Sequence, residues 1–190
     1  MSPKEREPFL EALDGVLLPL GFKRRKSSFE WKRRVDKRDL EWIHVNFGLG
    51  VINPSFGVKY EDLSTLLPSE SGAACSVFEM LSSVSGKAYT VDTPPQEVAA
   101  DVRALALPGL GCLRDRALVV ERLKRESSRD WPTLGASERV RLLPLMLAHS
   151  GHVDDALEWL REHEDYAVRV DQQLPNFTSY AAYFRARYTA

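Results

Sequence analysis

The chain has 190 residues, of which 44% are hydrophobic and 28% are charged, with a formal net charge of −1 at pH 7. These values are typical of a globular protein with a sizeable core. No apolar run approaches the roughly 20 residues that cross a bilayer, and the charged N-terminus lacks the apolar segment of a signal peptide. Cys75 and Cys112 are too few for a disulfide framework or a zinc site. The composition therefore predicts a cytoplasmic protein with reduced thiols and no membrane partner.

The N-terminal third predicts a helix followed by antiparallel strands. Apolar residues recur at helical spacing after Pro8, which we expect to open the helix, and Pro19 and Gly21 end it. Apolar and polar residues then alternate, as they do along half-buried strands. The predicted strands are residues 28–35, 40–49 and 56–60, and the predicted turns are residues 36–39 and 50–55, the latter because it contains Asn53-Pro54.

The alternation divides the side chains of the sheet between two faces. The face expected to form the core carries Ile43, Val45, Phe47, Leu49, Phe56 and Val58. Trp42, His44 and Asn46 project from the opposite face of the central strand, and Lys59 lies among the non-core positions of its neighbour. If the C-terminal helices leave this second face uncovered, it is the largest candidate binding surface. The same row could equally lie beneath those helices as a polar layer.

The rest of the chain predicts helices with two ambiguous segments. The predicted helices are residues 95–107, 114–126, 136–149, 153–163 and 178–188. Pro108-Gly109 and Gly111 are expected to break the first of them. Residues 75–84 fit a helix or a strand, residues 87–91 look extended, and residues 127–135 are a candidate linker.

These elements predict an α+β fold with an N-terminal helix, an antiparallel β-meander covered on one face by helices, and a C-terminal helical hairpin. We expect an α+β sheet domain over residues 1–126 and a C-terminal helical subdomain over residues 136–190. The second is expected to pack on the first as part of one compact unit.

Several short motifs occur in an order that is found in a known family. They are Leu20-Gly-Phe-Lys23, Ser28-Phe29, Trp42-Ile-His-Val-Asn-Phe47, Phe56-Gly-Val58, Tyr89-Thr-Val91 and Leu107-Pro-Gly-Leu110. Over about residues 8–125 the chain resembles the bacterial family of domains of unknown function that is numbered 4304. The resemblance implies the same α+β fold, with the C-terminal hairpin as an appendage that some members carry. It implies no activity.

Charge is unevenly distributed along the chain. Residues 22–38, the basic segment, contain nine basic and two acidic residues, a net charge of +7, whereas residues 60–101 carry −6. A basic segment of this kind is able to track phosphates. The interpretation we favour is a solvated hairpin whose charges keep a sheet edge from pairing with other chains, since no nucleic-acid motif accompanies it.

No arrangement of residues indicates catalysis or metal binding. His149 and His152 flank Gly151 at a helix end, so they do not share a helical face. Cys75 and Cys112 lie among apolar neighbours and are expected to be buried and inert. The serines of residues 82–86 do not form a nucleophile elbow. We therefore expect no catalytic residue, no metal and no cofactor.

The sequence favours a non-enzymatic protein-binding module, of the kind that serves as an immunity or regulatory partner of another protein. Its candidate binding residues are Trp42, His44, Asn46 and Lys59. The alternative is a nucleic-acid-associated protein that uses the basic segment for weak binding without sequence preference. A third class is an enzyme with its site on an open sheet face, and no residue pattern supports it.

Overall fold

A computed structural model describes residues 1–66, 76–125, 136–163 and 177–189. The chain divides into two compact units: Met1–Tyr60 with Ser76–Asp115, and Glu61–Cys75 with Arg116–Ala190. The predicted α+β class is confirmed, because an N-terminal helix, an antiparallel sheet of six strands and C-terminal helices are all present. The predicted linker at residues 127–135 and Cys75 lie outside the described residues.

The described helices are α1 Pro3–Leu17, α2 Glu61–Ser64, α3 Leu81–Ser85, α4 Pro95–Asp101, α5 Leu107–Arg114, α6 Arg116–Lys124, α7 Ala136–His149, α8 Val153–Glu162 and α9 Phe177–Tyr188. The strands are β1 Lys23–Arg24, β2 Glu30–Arg34, β3 Asp39–Phe47, β4 Val51–Tyr60, β5 Ser76–Met80 and β6 Tyr89–Thr90. A 3₁₀ turn at Leu18–Leu20 follows α1, and a π-helical segment at Val102–Ala106 joins α4 to α5. The sheet order is β1-β2-β3-β4-β5, and β6 also pairs with β4.

One face of this sheet, the inner face, forms the core of the first unit with its helices. Its fully buried side chains are Trp31, Ile43, Val45, Ile52, Phe56, Val58, Tyr60 and Val77. Helix α1 packs against α4, and α5 packs against β4, where the Tyr60 hydroxyl donates to the Leu113 carbonyl at 2.5 Å. The predicted core face is therefore confirmed up to Val45. Beyond it Phe47 is half-buried, and Leu49 is wrongly placed, because it is fully exposed.

Helix α1 begins earlier than predicted because its cap lies upstream of Pro8. Ser2 accepts a hydrogen bond from the Glu5 amide while the Glu5 carboxylate accepts one from the Ser2 amide. This capping box satisfies two amides that the first turn would otherwise leave unpaired. Pro3 occupies the first turn and Pro8 lies inside the helix.

Asp14 joins α1 to the edge of the sheet. Its carboxylate accepts a hydrogen bond from the buried Trp31 indole at 2.7 Å and two from the Arg24 guanidinium, at 3.0 and 2.5 Å. The hydrogen bonds from Arg24 lower the pKa of Asp14, and the bond from Trp31 adds to this effect, although burial opposes it. Since a buried indole N–H needs an acceptor, Asp14 also fixes the position of Trp31.

We expect Asp14→Asn to lower the free energy of unfolding by about 1 kcal/mol at pH 7. A carboxylate whose pKa is lowered by folding stabilises the protein fully above its unfolded pKa of about 4, and this contribution is lost as the pH falls from there through the lower folded pKa. Urea unfolding from pH 7 down into this acidic range should therefore show a gap that narrows below about pH 4. Glu11→Gln, on the exposed side of the same helix, is the control. A gap as large at about pH 3 as at about pH 7 would contradict an effect of charge.

The predicted turn at residues 50–55 is wrong, because Asn53 and Pro54 lie inside β4. The chain turns instead at Gly48–Gly50, where Gly50 has φ +75° and the Gly48 amide donates to the Val51 carbonyl. Pro54 on β4 lies opposite Val45 on β3. The Val45 amide donates to the Phe29 carbonyl, which lies on the β2 side of β3, so Val45 and Pro54 are a non-hydrogen-bonded pair. The missing amide of Pro54 therefore removes no bond between β3 and β4.

The predicted helix break at Pro108, Gly109 and Gly111 is also wrong, since all three lie within α5. The π-helical segment directly precedes the proline, and the Leu107 amide reaches back five residues to the Val102 carbonyl. A proline removes one helical hydrogen bond, and a π-helical segment is a common way for a helix to accommodate a local irregularity. The helix thus passes the proline and packs Leu110 and Leu113 into the core.

The second unit is helical, and α7 lies at its centre. Helix α7 contacts α2, α6, α8 and α9, and every residue from 142 to 148 is buried. Gly151, with φ +87°, ends the α7 helix, and the His152 amide donates to the Leu147 carbonyl. The predicted hairpin of α7 and α8 is confirmed.

Candidate functional site

The face of the sheet opposite the core, the outer face, holds all four predicted binding residues. Its rows, read across β2, β3, β4 and β5, are Arg34–Leu40–Lys59–Ser76, Lys32–Trp42–Gly57–Phe78 and Glu30–His44–Ser55–Met80. Asn46 lies opposite Asn53 at the end of this face and is exposed, whereas Trp42, His44 and Lys59 are half-buried. The prediction that Trp42 and His44 point away from the core is confirmed.

Trp42 and Phe78 form an aromatic platform on the outer face. Their ring centroids are 5.9 Å apart with an interplanar angle of 41°, and Gly57 lies between them on β4. A Cβ atom at residue 57 would lie 2.5 Å from Trp42 Cζ2 and 2.5 Å from the Val77 carbonyl oxygen. Glycine is therefore what allows the indole to lie flat against the strand. The platform is held in place by the backbone before any partner arrives.

His44 is not arranged as a catalytic base. Ser55 lies opposite it, but the Ser55 hydroxyl is 3.4 Å from the main-chain carbonyl of His44, to which it donates. Activation of a serine requires its hydroxyl proton to be directed at the imidazole. In the described ranges, moreover, no three His, Cys, Asp or Glu side chains converge as ligands for a metal ion. The outer face offers contact area and charge.

Phe78 and Met80 belong to this surface although sequence patterning missed them. Both lie on β5, in a segment that fitted a helix or a strand equally well. The difficulty comes from Glu79, which faces the core and is buried, as is Glu41 on β3. A half-buried strand is recognised in a sequence when its apolar residues fall on the core side and its polar residues on the solvent side. On β5 the carboxylate faces the core and the two apolar side chains face outward, so the pattern predicts the wrong face.

Three of the nine basic residues of the basic segment form internal ion pairs. Arg24 binds Asp14, Arg33 binds the buried Glu41, and Lys32 lies 2.8 Å from Glu30. The other six basic residues of the segment have exposed side chains: Lys23, Arg25, Lys26, Arg34, Lys37 and Arg38. Lys23 lies beside Lys32 in the pairing of β1 with β2, and Arg34 lies on β2 itself.

The other candidate side chains are explained by local contacts. Burial opposes ionisation of Asp62, but hydrogen bonds from Arg116 at 2.8 Å outweigh it and keep the pKa of Asp62 below its ordinary value. His149 lies 3.4 Å from the same carboxylate, whereas His152 lies 3.7 Å from Asp155. The two histidines therefore contact different carboxylates and do not form one site. Cys112 is exposed, contrary to the prediction that it is buried.

Across the described ranges no helix is both long enough and apolar enough to cross a membrane. Comparisons with protein-family models, with curated proteins and with solved structures found no match to this chain. Its function therefore has to be inferred from its own residues.

Proposed function

We propose that this chain is a non-enzymatic protein-binding module, of an immunity or regulatory kind, whose outer face binds another protein. The observation that carries the proposal is the aromatic platform, in which Trp42 lies over Gly57 and against Phe78. Tryptophan, phenylalanine and methionine are enriched in protein interfaces, and preorganised aromatic side chains are frequent hot spots. Met80, 36% exposed, extends the apolar area along β5.

The charge around the platform favours an acidic partner surface. Three basic residues on the outer face, Lys32, Arg34 and Lys59, stand against one acidic residue, Glu30. With His44 neutral this gives the face a net charge of +2. Complementary charges at the rim of an interface mainly speed association and select the partner. The expected partner therefore presents apolar side chains surrounded by carboxylates.

A protein partner fits the surface better than nucleic acid. Internal pairing of Arg24 with Asp14 and of Arg33 with Glu41 lowers the charge that the basic segment offers to phosphates. Affinity for a phosphate backbone grows with the number of phosphates that are neutralised together. We expect mobility shifts in roughly 150 mM salt to show no tight or sequence-specific complex.

We expect Trp42→Ala to weaken partner binding by more than about 1 kcal/mol, which is a loss of at least about fivefold. The full chain, immobilised and exposed to a nuclease-treated extract of the cells it comes from, should enrich specific proteins that the variant does not. Trp42→Phe should retain part of the binding, because it keeps an aromatic ring over Gly57.

Leu118→Ala is the matched control, since it removes an exposed apolar side chain from α6, in the second unit. Stability is compared with Trp31→Ala, in which a fully buried tryptophan on the inner face is lost. Trp42→Ala should unfold at a clearly higher urea concentration than Trp31→Ala. Equal recovery of the same proteins by the natural chain and Trp42→Ala would overturn the proposal.

A further inference from the structure

Strand β1 adds one more cation to the outer face. Lys23 on β1 is directly opposite Lys32 on β2, and side chains directly opposite each other on paired strands project from the same face. On its other side Lys32 is opposite Trp42. Lys23 and Lys32, the lysine pair, therefore continue the row of the aromatic platform to the edge of the sheet, and both side chains are exposed.

The lysine pair is by itself unfavourable for the folded protein. Side chains directly opposite each other on antiparallel strands have Cβ atoms about 5 Å apart, and like charges in these positions are destabilising. Lys32 Nζ lies 2.8 Å from Glu30, which neutralises one of the two positive charges. In the described chain Lys23 forms no ion pair. One positive charge thus remains without a counter-charge beside the platform.

Protection of the sheet edge explains a charge at position 23 but does not explain its sign. A charged side chain on an edge strand discourages pairing with other chains, and β1 is the edge strand on this side of the described sheet. A glutamate at position 23 would also keep the edge charged, and it would pair with Lys32 as an opposite charge. The second lysine therefore needs another explanation, and an anion bound between the two ammonium groups supplies one.

We propose that the lysine pair binds one carboxylate of the protein that occupies the outer face, an Asp or Glu side chain that lies between the two ammonium groups. The inference rests on the proposed function and adds a position to it. Neighbouring strands are about 4.8 Å apart, so this carboxylate lies about 5–10 Å from the partner group that contacts Trp42. The partner thus presents apolar side chains over Trp42 and Phe78 and an acidic one on the β1 side.

A single carboxylate fits the lysine pair better than a nucleic acid does. The two lysines and Glu30 together carry a charge of +1, which one carboxylate neutralises. Affinity for a nucleic acid comes from neutralising several phosphates together, and Glu30 would place a negative charge beside them. The outer face of a second copy is also a poor acceptor, because it carries the same positive residues and two such faces would repel each other.

We expect Lys23→Glu to raise the urea concentration at half-unfolding, because an opposite-charge pair across β1 and β2 replaces a like-charge pair. The rise should shrink in about 1 M sodium chloride, where the screening length falls to about 3 Å. Lys37→Glu makes the same change of charge at an exposed position between β2 and β3 and is the control. If Lys23→Glu is no more stable than Lys37→Glu, the two lysines do not repel each other and the inference is overturned.

Carbodiimide crosslinking identifies what the lysine pair contacts in the complex. This reagent joins a lysine amine to a carboxylate in contact with it, as an amide, with loss of water. In a nuclease-treated extract of the native cells, the full chain should be linked through Lys23 or Lys32 to an Asp or Glu of a captured protein. The variant Lys23→Arg/Lys32→Arg should keep the capture and lose this crosslink, because arginine keeps the charge but does not react. Crosslinks from other lysines only, or a crosslinked dimer of the chain, would overturn the inference.

Capture by charge variants measures the size of the effect. In roughly 150 mM salt Lys23→Glu should recover at least about fivefold less of the proteins that the natural chain captures, since a charge at the rim of the interface is reversed. Lys37→Glu should recover as much as the natural chain. Full recovery by Lys23→Glu would contradict a carboxylate contact. A complex that disappears when the extract is treated with nuclease would assign the lysine pair to phosphates and overturn the inference.

Trp42→Ala distinguishes a failure of this inference from a failure of the proposed function. If Trp42→Ala loses the captured proteins while Lys23→Glu retains them, the outer face binds a protein and the carboxylate contact is wrong. If both variants retain them, or the natural chain captures none, both proposals fail. If both variants lose them and the lysine pair forms the crosslink, the platform and the lysine pair bind one partner.

Discussion

Replacing Arg33 by methionine should lower the free energy of unfolding by about 3 kcal/mol. Glu41 lies on the inner face with none of its side chain exposed. Arg33 Nε donates to its Oε2 atom at 2.7 Å, and Arg33 Nη2 lies 2.6 Å from the same atom. The Oε1 atom lies 3.1 Å from Arg114 Nε, but in the described chain it accepts no hydrogen bond of good geometry. Without Arg33 the buried carboxylate is left with one poorly aligned cation.

The double variant Arg33→Met/Glu41→Met should recover most of this loss, because an apolar pair of similar volume replaces a buried ion pair at little net cost. Glu41→Met alone should cost less than Arg33→Met, since the two arginine side chains left behind are 31% and 39% exposed and remain hydrated. Urea unfolding of the four proteins completes the cycle. If the double variant is as unstable as Arg33→Met, the loss comes from the stacking of Arg33 on Phe22 at 4.5 Å.

The same buried carboxylate shows where sequence patterning succeeds and where it fails. Alternation correctly placed Ile43 and Val45 inside and Trp42 and His44 outside, because side chains on a paired strand alternate strictly between faces. It did not identify Glu41 as an inner residue. An inward charge is stable only because Arg33 is opposite it on β2 and Arg114 comes from α5, and neither pairing is visible in a linear sequence.

The ends of elements were harder to predict than their centres. Extending the alternation of β3 by two residues assigned Leu49 to the core, but the strand ends at Phe47 and the period has no meaning in the turn that follows. Pro54 predicts a turn from sequence alone, but in the register of β3 and β4 its missing amide removes no hydrogen bond. The end of β3 and the place of Pro54 in β4 are both set by strand pairing, which a sequence pattern does not show.

Only part of the candidate site could be predicted from the sequence. Trp42, His44, Asn46 and Lys59 could be assigned to one face from spacing alone. The platform also needs Phe78 and Gly57, which come together with Trp42 only when β5 pairs with β4. Such combinations require the tertiary fold.

Two glycines of α5 should respond in opposite ways to the same substitution. A Cβ atom at residue 109 would lie 2.5 Å from Phe56 Cε2 and 2.9 Å from Phe56 Cζ, in the core of the first unit, whereas one at residue 111 would meet nothing within 4 Å. Overpacking of this kind outweighs the gain in helix propensity, so Gly109→Ala should lower the free energy of unfolding by about 2 kcal/mol. Gly111→Ala should raise it by about 0.5–1 kcal/mol.

Urea unfolding of both variants beside the natural chain measures the two effects, and the difference in sign is the decisive result. If α5 ended at Pro108, as the sequence pattern predicted, both glycines would lie in irregular backbone and neither alanine would gain helix propensity. Similar small losses from both variants would therefore contradict a continuous helix. A further variant, Gly109→Ala/Phe56→Leu, should recover part of the loss, since a smaller side chain at position 56 leaves room for the added methyl group. Recovery of this kind would place the cost at the contact between α5 and β4.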